Sequence, residues 1–197
     1  VSSEGILNSF QLVQAMNDKN GKFYELYQKM PKSERAALIK NIQMNTTNIE
    51  VDLDHDSVIE SPRRQGAGLV NVEAAINAIL HNPSTVSSGN GYPGVELKDF
   101  KDRKHQFTLK FTNRTNKEIE YSLNSNGKFS DVYTSATDSK TGKLFEKKIE
   151  GATLTPDEKI IVPANSTKEV EVTLSLPDNF KENQYVEGFM TFTGSDN

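Results

Sequence analysis

Cysteine is absent from the 197 residues. That excludes disulfides and thiol chemistry, and it fits a cytosolic protein and a Gram-positive surface protein equally well. No run approaches the ~18 consecutive apolar residues of a membrane span. Neither a signal peptide nor an anchor is recognisable, and a fragment of a longer chain need contain neither. Basic residues are in the minority, 23 Lys and Arg against 27 Asp and Glu, for a net charge of -4 and a pI near 5.5. They form no stripe interleaved with aromatics, which argues against nucleic acid as a partner. The three histidines, His55, His81 and His105, lie far apart and lack HExxH spacing. Each reads as a surface residue rather than a zinc ligand or a general base.

What is present changes character along the chain. Residues 6–16 predict a helix, with Ile6, Leu7, Phe10, Val13 and Ala15 or Met16 forming an apolar face at spacings of three and four. Phe23, Tyr24 and Tyr27 suit a short packed helix. A third follows Pro31, with Ser33 as N-cap, Glu34 in the first turn, and Ala37, Leu38, Ile42 and Met44 facing inward. Gly66 and Gly68 then flank one alanine, which predicts positive φ or close backbone approach. Asn71 caps a further helix whose Val72, Ala75, Ile76 and Ile79 share a stripe. Residues 83–93, rich in Pro, Gly and Ser, read as a linker. Beyond it the apolar period becomes two, at 107–111, 119–123, 160–162, 170–174 and 189–192, with 113–117 as a hairpin loop and 125–150 as a polar insertion. Six or seven such strands over about a hundred residues fit an immunoglobulin-like sandwich.

Candidate chemistry is sparse. The glycine pair lacks the Lys-Ser/Thr of a P-loop and the third glycine of a dinucleotide fingerprint, so it is no phosphate cradle. Asp52, Asp54 and Asp56 alternate around His55, with Glu60 close behind, yet the sixth and twelfth places of an EF-hand hold Ser57 and Arg63. An exposed loop whose acids face water is expected there; calcium rests on ligand type alone. Ser2 and Ser3 have no base positioned to activate them. Asn45, Asn113 and Asn165 begin sequons that matter only in a eukaryotic secretory route. No residue is assigned a catalytic, cofactor-binding or metal-ligating role.

The stretch Ser61, Pro62, Arg63, Arg64, Gln65, Gly66, Ala67, Gly68, Leu69, Val70, Asn71 through Ile76 resembles the end of the catalytic domain of subtilisin-like serine proteases. In particular it is similar to the cell-envelope proteinases of lactococci and streptococci, of the lactocepin, chemokine-cleaving and C5a-peptidase types. The helix at 6–16 resembles the far part of the helix that follows the family's nucleophile, while residues 1–5 do not match the Gly-Thr-Ser-Met-Ala motif. Pro163, Ala164, Asn165, Ser166, Thr167 and the run from Val186 to Phe189 resemble the fibronectin type III-like domain that follows the protease domain. The resemblance implies an α+β, multi-domain fold class: a mostly helical end segment of a subtilisin-like α/β domain over 1–82, a linker over 83–93, and an immunoglobulin or fibronectin III-like β-sandwich over 94–197. It further implies a fragment of a secreted, cell-wall-associated serine endopeptidase acting on host or milk proteins, whose Asp, His and Ser triad and oxyanion Asn are expected upstream. The chain alone is then inactive and cofactor-free, with calcium a possibility for the parent, and its partners are the rest of the proteinase and, through it, a protein substrate. A non-catalytic adhesion or interaction module of a bacterial surface protein is the alternative.

Overall fold

A computed structural model describes residues 3–55, 58–95, 102–123, 131–156, 158–181 and 183–195. Ser2, Asp56, Ser57 and the first part of the 125–150 insertion lie outside them. Helices α1 (Ser3–Met16), α2 (Tyr24–Lys29) and α3 (Lys32–Asn45) come first. The short strands β1 (Val51–Asp52) and β2 (Val58–Ile59) pair antiparallel, and the one-turn helix α4 (Pro62–Gln65) and helix α5 (Val72–His81) follow. Then come β3 (Thr85–Ser88), β4 (Lys104–Asn113), β5 (Ile119–Leu123), β6 (Val132–Thr137), β7 (Leu144–Lys148), β8 (Thr153–Thr155), β9 (Ile160–Val162), β10 (Ser166–Ser175), β11 (Glu187–Gly188) and β12 (Phe192–Gly194).

The helices close on one apolar cluster of Leu12, Met16, Tyr27, Leu38, Ile42, Ala75 and Ile79. Tyr27 is buried and donates its hydroxyl proton to the Ile79 carbonyl, which satisfies the one polar atom that its ring carries inside. The Asn71 side chain accepts from the Ala74 amide at 3.0 Å, as a cap must, because the first amides of a helix have no partner within it. Gly66 and Gly68 both have positive φ. At Gly68 a Cβ would lie 2.4 Å from the Asn48 carbonyl oxygen, so both reasons for glycine hold at once.

Several expectations for the helices are corrected. Helix α1 buries Met16 of the expected face, but with it Asn8 and Leu12, and leaves Ile6, Leu7, Phe10 and Val13 exposed. Pro31 rather than Ser33 occupies the N-cap of α3 and makes no side-chain cap bond, since proline already fixes the entry φ. Ala37 and Met44 face solvent.

The sandwich opposes β3-β4-β10-β8 to β12-β5-β9, and β11-β6-β7 forms a third sheet. Phe111, Ile119, Val162 and Val172 fill the space between the first two, and Phe111 meets the Phe192 ring edge-on at 5.0 Å. Strands β4 and β10 pair antiparallel along their whole length, from Ser166 opposite Asn113 to Ser175 opposite Lys104. Three readings change here. Residues 113–117 join two different sheets instead of closing a hairpin, because β4 pairs with β3 and β10 while β5 pairs with β9 and β12. Within the expected linker, Thr85–Ser88 is an edge strand on β4, from Thr85 opposite Thr112 to Ser88 opposite Leu109. Of the expected strand 189–192 only Phe192 lies in one, β12; residues 189–191 connect β11 to β12, which belong to different sheets. The described part of the insertion is the β6–β7 hairpin, from Tyr133 opposite Lys148 to Thr137 opposite Leu144.

Candidate functional site

Polar groups converge where the segment around α4 meets the β6–β7 hairpin. Ser61 opens α4 with its hydroxyl accepting from the Arg63 amide at 3.2 Å. The same hydroxyl donates to Glu187 Oε1 at 3.0 Å. Proline at the first helical position presets the helical φ where no amide donor is needed, and the next residue, Arg63, spans the seam. Its guanidinium reaches Glu187 through Nε at 2.9 Å and Nη2 at 3.1 Å, a bidentate grip, and Nη2 also donates to Ser135 Oγ. The Tyr185 ring lies 3.9 Å from the guanidinium carbon. Arg64 pairs with Glu60 at 2.9 Å and donates to the Leu144 carbonyl at 2.8 Å.

Glu146 of β7 lies at the bottom of this cluster, 2% exposed. Burial, then the neighbouring Glu187 carboxyl, pushes its pKa well above the ordinary carboxylate range. Glu187 goes the other way: burial pushes it up, but its bonds from Arg63, Glu146 and Ser61 outweigh that and hold it down. The two carboxyls are thus pushed in opposite directions, Glu146 up and Glu187 down, because one guanidinium can match only one charge.

Beside this cluster, His55 is held from both sides, Nδ1 at 2.8 Å from Asp52 Oδ2 and Nε2 at 2.9 Å from Asp138 Oδ2. Its ring stacks on Phe145 at 4.3 Å between centroids. Its bonds to Asp138 and Asp52 raise its pKa. The His55 bond, followed by the Lys140 and Thr141 amides, draws Asp138 down to about 2. An open depression of about 350 Å³ lies here, lined by Asp52, Asp54, His55, Glu60, Arg64, Lys143 and Leu144.

A second contact lies around β3. Asn45 donates to the Val86 carbonyl at 2.9 Å and accepts from the Val86 amide at 2.8 Å. Asn41 donates to the Gly91 carbonyl at 3.1 Å. Arg114 donates to the Pro83 carbonyl and the Thr85 hydroxyl, each at 2.9 Å.

The expected surface role of His55 is corrected: its side chain is 18% exposed and bonded across the seam. His81 stays exposed at the end of α5, and His105 sits in β4. Among the described residues no group of three or more His, Cys, Asp or Glu could hold a metal ion; Asp52 gives its Oδ2 to His55, and Asp56 lies outside those residues. No described helix is long and apolar enough to cross a membrane. Sequence reasoning missed Glu146, Glu187 and Asp138. The available signal was an acid at an inward-facing position of an alternating strand, as at Glu146.

The family model described as "Fn3-like domain" matches residues 95–197. The chain is 50% identical over 185 residues to a PII-type proteinase of Lactococcus lactis subsp. cremoris, covering 94% of the chain and 10% of that protein. The figures are the same for a PII-type proteinase of Lacticaseibacillus paracasei. A C5a peptidase of Streptococcus pyogenes serotype M1 is 30% identical over 173 residues, 84% of the chain and 14% of that protein. The chain therefore spans about a tenth of the length of the curated relatives it matches.

Proposed function

We propose, since the chain belongs to the Fn3-like domain family and is a relative of lactococcal and streptococcal proteinases, that it is the junction segment of a cell-wall-associated, subtilisin-like serine endopeptidase. Residues 1–82 end the catalytic domain, and residues 94–197, together with the edge strand β3, form the sandwich that follows. The whole enzyme cleaves proteins; the C5a peptidase among the relatives makes a host protein one candidate substrate class. This segment braces the catalytic domain and supplies no triad residue.

The observation that carries the reading is α1. One side packs Leu12 and Met16 into the helical core, while the other presents Ile6, Leu7, Phe10 and Val13 to solvent. A surface helix of a finished domain keeps one apolar stripe; a helix apolar all round is buried within a larger body. Four large apolar side chains within eight residues form a contact surface. In a subtilisin-like domain the element expected against such a helix is the parallel sheet, which the described residues do not contain.

The test has two arms. Incubated at high concentration with casein and with a chemokine, the 197-residue chain should release no peptides, and serine-protease-inhibitor-sensitive cleavage free of contaminant would overturn the bracing role. Phe10→Glu in the full-length proteinase should abolish folding of the catalytic domain while leaving the 197-residue chain folded; an unaffected proteinase would remove the argument from α1.

A further inference from the structure

At the seam between residues 52–55 and 58–65 on one side and the β6–β7 hairpin on the other, two groups are placed so that each holds the contact in its protonated form. Glu146 on β7 is faced by Glu187 from β11, by Ser61 and Arg63 from the α4 turn, and by Tyr133 from β6, with Asp131 beyond it. Arg63 commits two bonds to Glu187 and one to Ser135. The Glu146 Oε2 is buried and makes no hydrogen bond among the described residues. A second ionised carboxylate there would be desolvated, unmatched and next to a like charge. Protonated, the same carboxyl is a neutral donor facing an acceptor.

His55 follows the same rule by different chemistry. A neutral imidazole has one N–H, so with a carboxylate on each ring nitrogen one contact would set a lone pair against an anion. Only the imidazolium donates to both Asp52 and Asp138. Asp54, Glu60, Arg64 and Lys143 also line the depression beside it, and Arg64 is already paired with Glu60.

We infer that this seam is a proton-operated latch, gripping the β6–β7 hairpin while Glu146 and His55 carry protons and releasing it as they lose them. Both groups are raised in the folded chain above their ordinary values of 4.5 and 6.5. Their contribution is therefore complete below those values and is lost as pH rises through the raised ones. Asp52, Asp138 and Glu187 are lowered; their contribution is present above the ordinary carboxylate value and is lost only as pH falls through the depressed values. The latch is tightest in the mildly acidic range between the two sets. It is built from this chain's own contacts and holds whether or not the proteinase reading does.

Hydrogen exchange of the 197-residue chain, corrected for intrinsic rates, tests it between about pH 5.5 and about pH 8.5. Opening of the hairpin and of residues 58–65 should rise with pH, by up to tenfold per pH unit for each proton lost, while the β4–β10 ladder stays flat. Glu146→Gln should remove part of that slope, and adding His55→Gln should remove the rest while raising the opening at acidic pH. A pH-independent hairpin in the wild type, or an unchanged slope in the double variant, would overturn the latch. Should the variants unfold, carbon-detected NMR of the wild-type glutamates decides, because Glu146 titrating at the ordinary carboxyl value would also overturn it.

Discussion

Asn45, at the end of α3, pairs with the backbone of Val86 the way a neighbouring strand would. Its amide donates to the Val86 carbonyl at 2.9 Å and accepts from the Val86 amide at 2.8 Å. A side chain from the helical segment thereby covers the free edge of β3, whose other edge is paired with β4. Asn45→Ala removes both bonds, but water reaches this exposed edge and replaces them in part. The expected loss is about 1–2 kcal/mol on the usual net value per hydrogen bond. Denaturant unfolding should show it, with the helices and the sandwich melting less in step.

Asn113 makes the corner by which the chain leaves one sheet for the other. It is buried, its Nδ2 donates to the Lys117 carbonyl at 2.7 Å and to the Val162 and Pro163 carbonyls at 3.1 Å, and its Oδ1 accepts from the Thr115 amide and hydroxyl. Asn113→Ala strands those carbonyls and should cost about 2–4 kcal/mol, the range for breaking a buried polar network. Asn113→Asp should be worse, because it places a carboxylate against the same carbonyl oxygens. Thermal melts of both variants rank the two, and an Asp variant as stable as wild type would contradict the assigned amide orientation.

Local signals in the sequence were reliable where one residue sufficed to decide the backbone. Gly68 had to be glycine because the Asn48 carbonyl occupies the place of its Cβ, and Asn71 had to cap because α5 begins there. What stayed hidden depends on distant partners. The alternation of 107–111 and 119–123 was legible, but nothing in 113–117 states that the runs enter different sheets; that follows from β10 outcompeting β5 for the edge of β4. The apolar pattern of α1 identified a helix and not its buried side, since both sides are apolar. Glu146 and Glu187 are 41 residues apart in number, and only the pairing of β6 with both β7 and β11 brings them together.

The start of the sandwich can be placed by truncation. Val86 packs against the sandwich core, and β3 pairs with β4 from Thr85 to Ser88. Arg114 also returns to Pro83 and Thr85. A chain beginning at Pro83 should therefore fold as a β protein with one cooperative melt. One beginning at Tyr92 lacks the strand and both arginine contacts and should be less stable by about 2–4 kcal/mol, taking roughly 1 kcal/mol for each of a few lost hydrogen bonds. Circular dichroism and denaturant midpoints compare them, and equal stability would make β3 a passive edge.

On α1, two substitutions should act in opposite senses from what residue type alone suggests. Asn8 is fully buried, and neither polar atom of its amide has a hydrogen-bond partner among the described residues. Phe10 is 66% exposed. An unpaired buried amide costs about 1–3 kcal/mol, so Asn8→Leu, close in volume, should stabilise the 197-residue chain by about that amount. Phe10→Glu gives up no burial here and should change stability by less than about 0.5 kcal/mol, the range for surface positions. It should, however, reduce self-association, because it breaks the patch formed with Ile6, Leu7 and Val13. Light scattering and dye binding read the second effect, and denaturant midpoints read the first. If Phe10→Glu instead unfolded the chain, the outer face of α1 would already be covered within these residues, and no further element would be required against it.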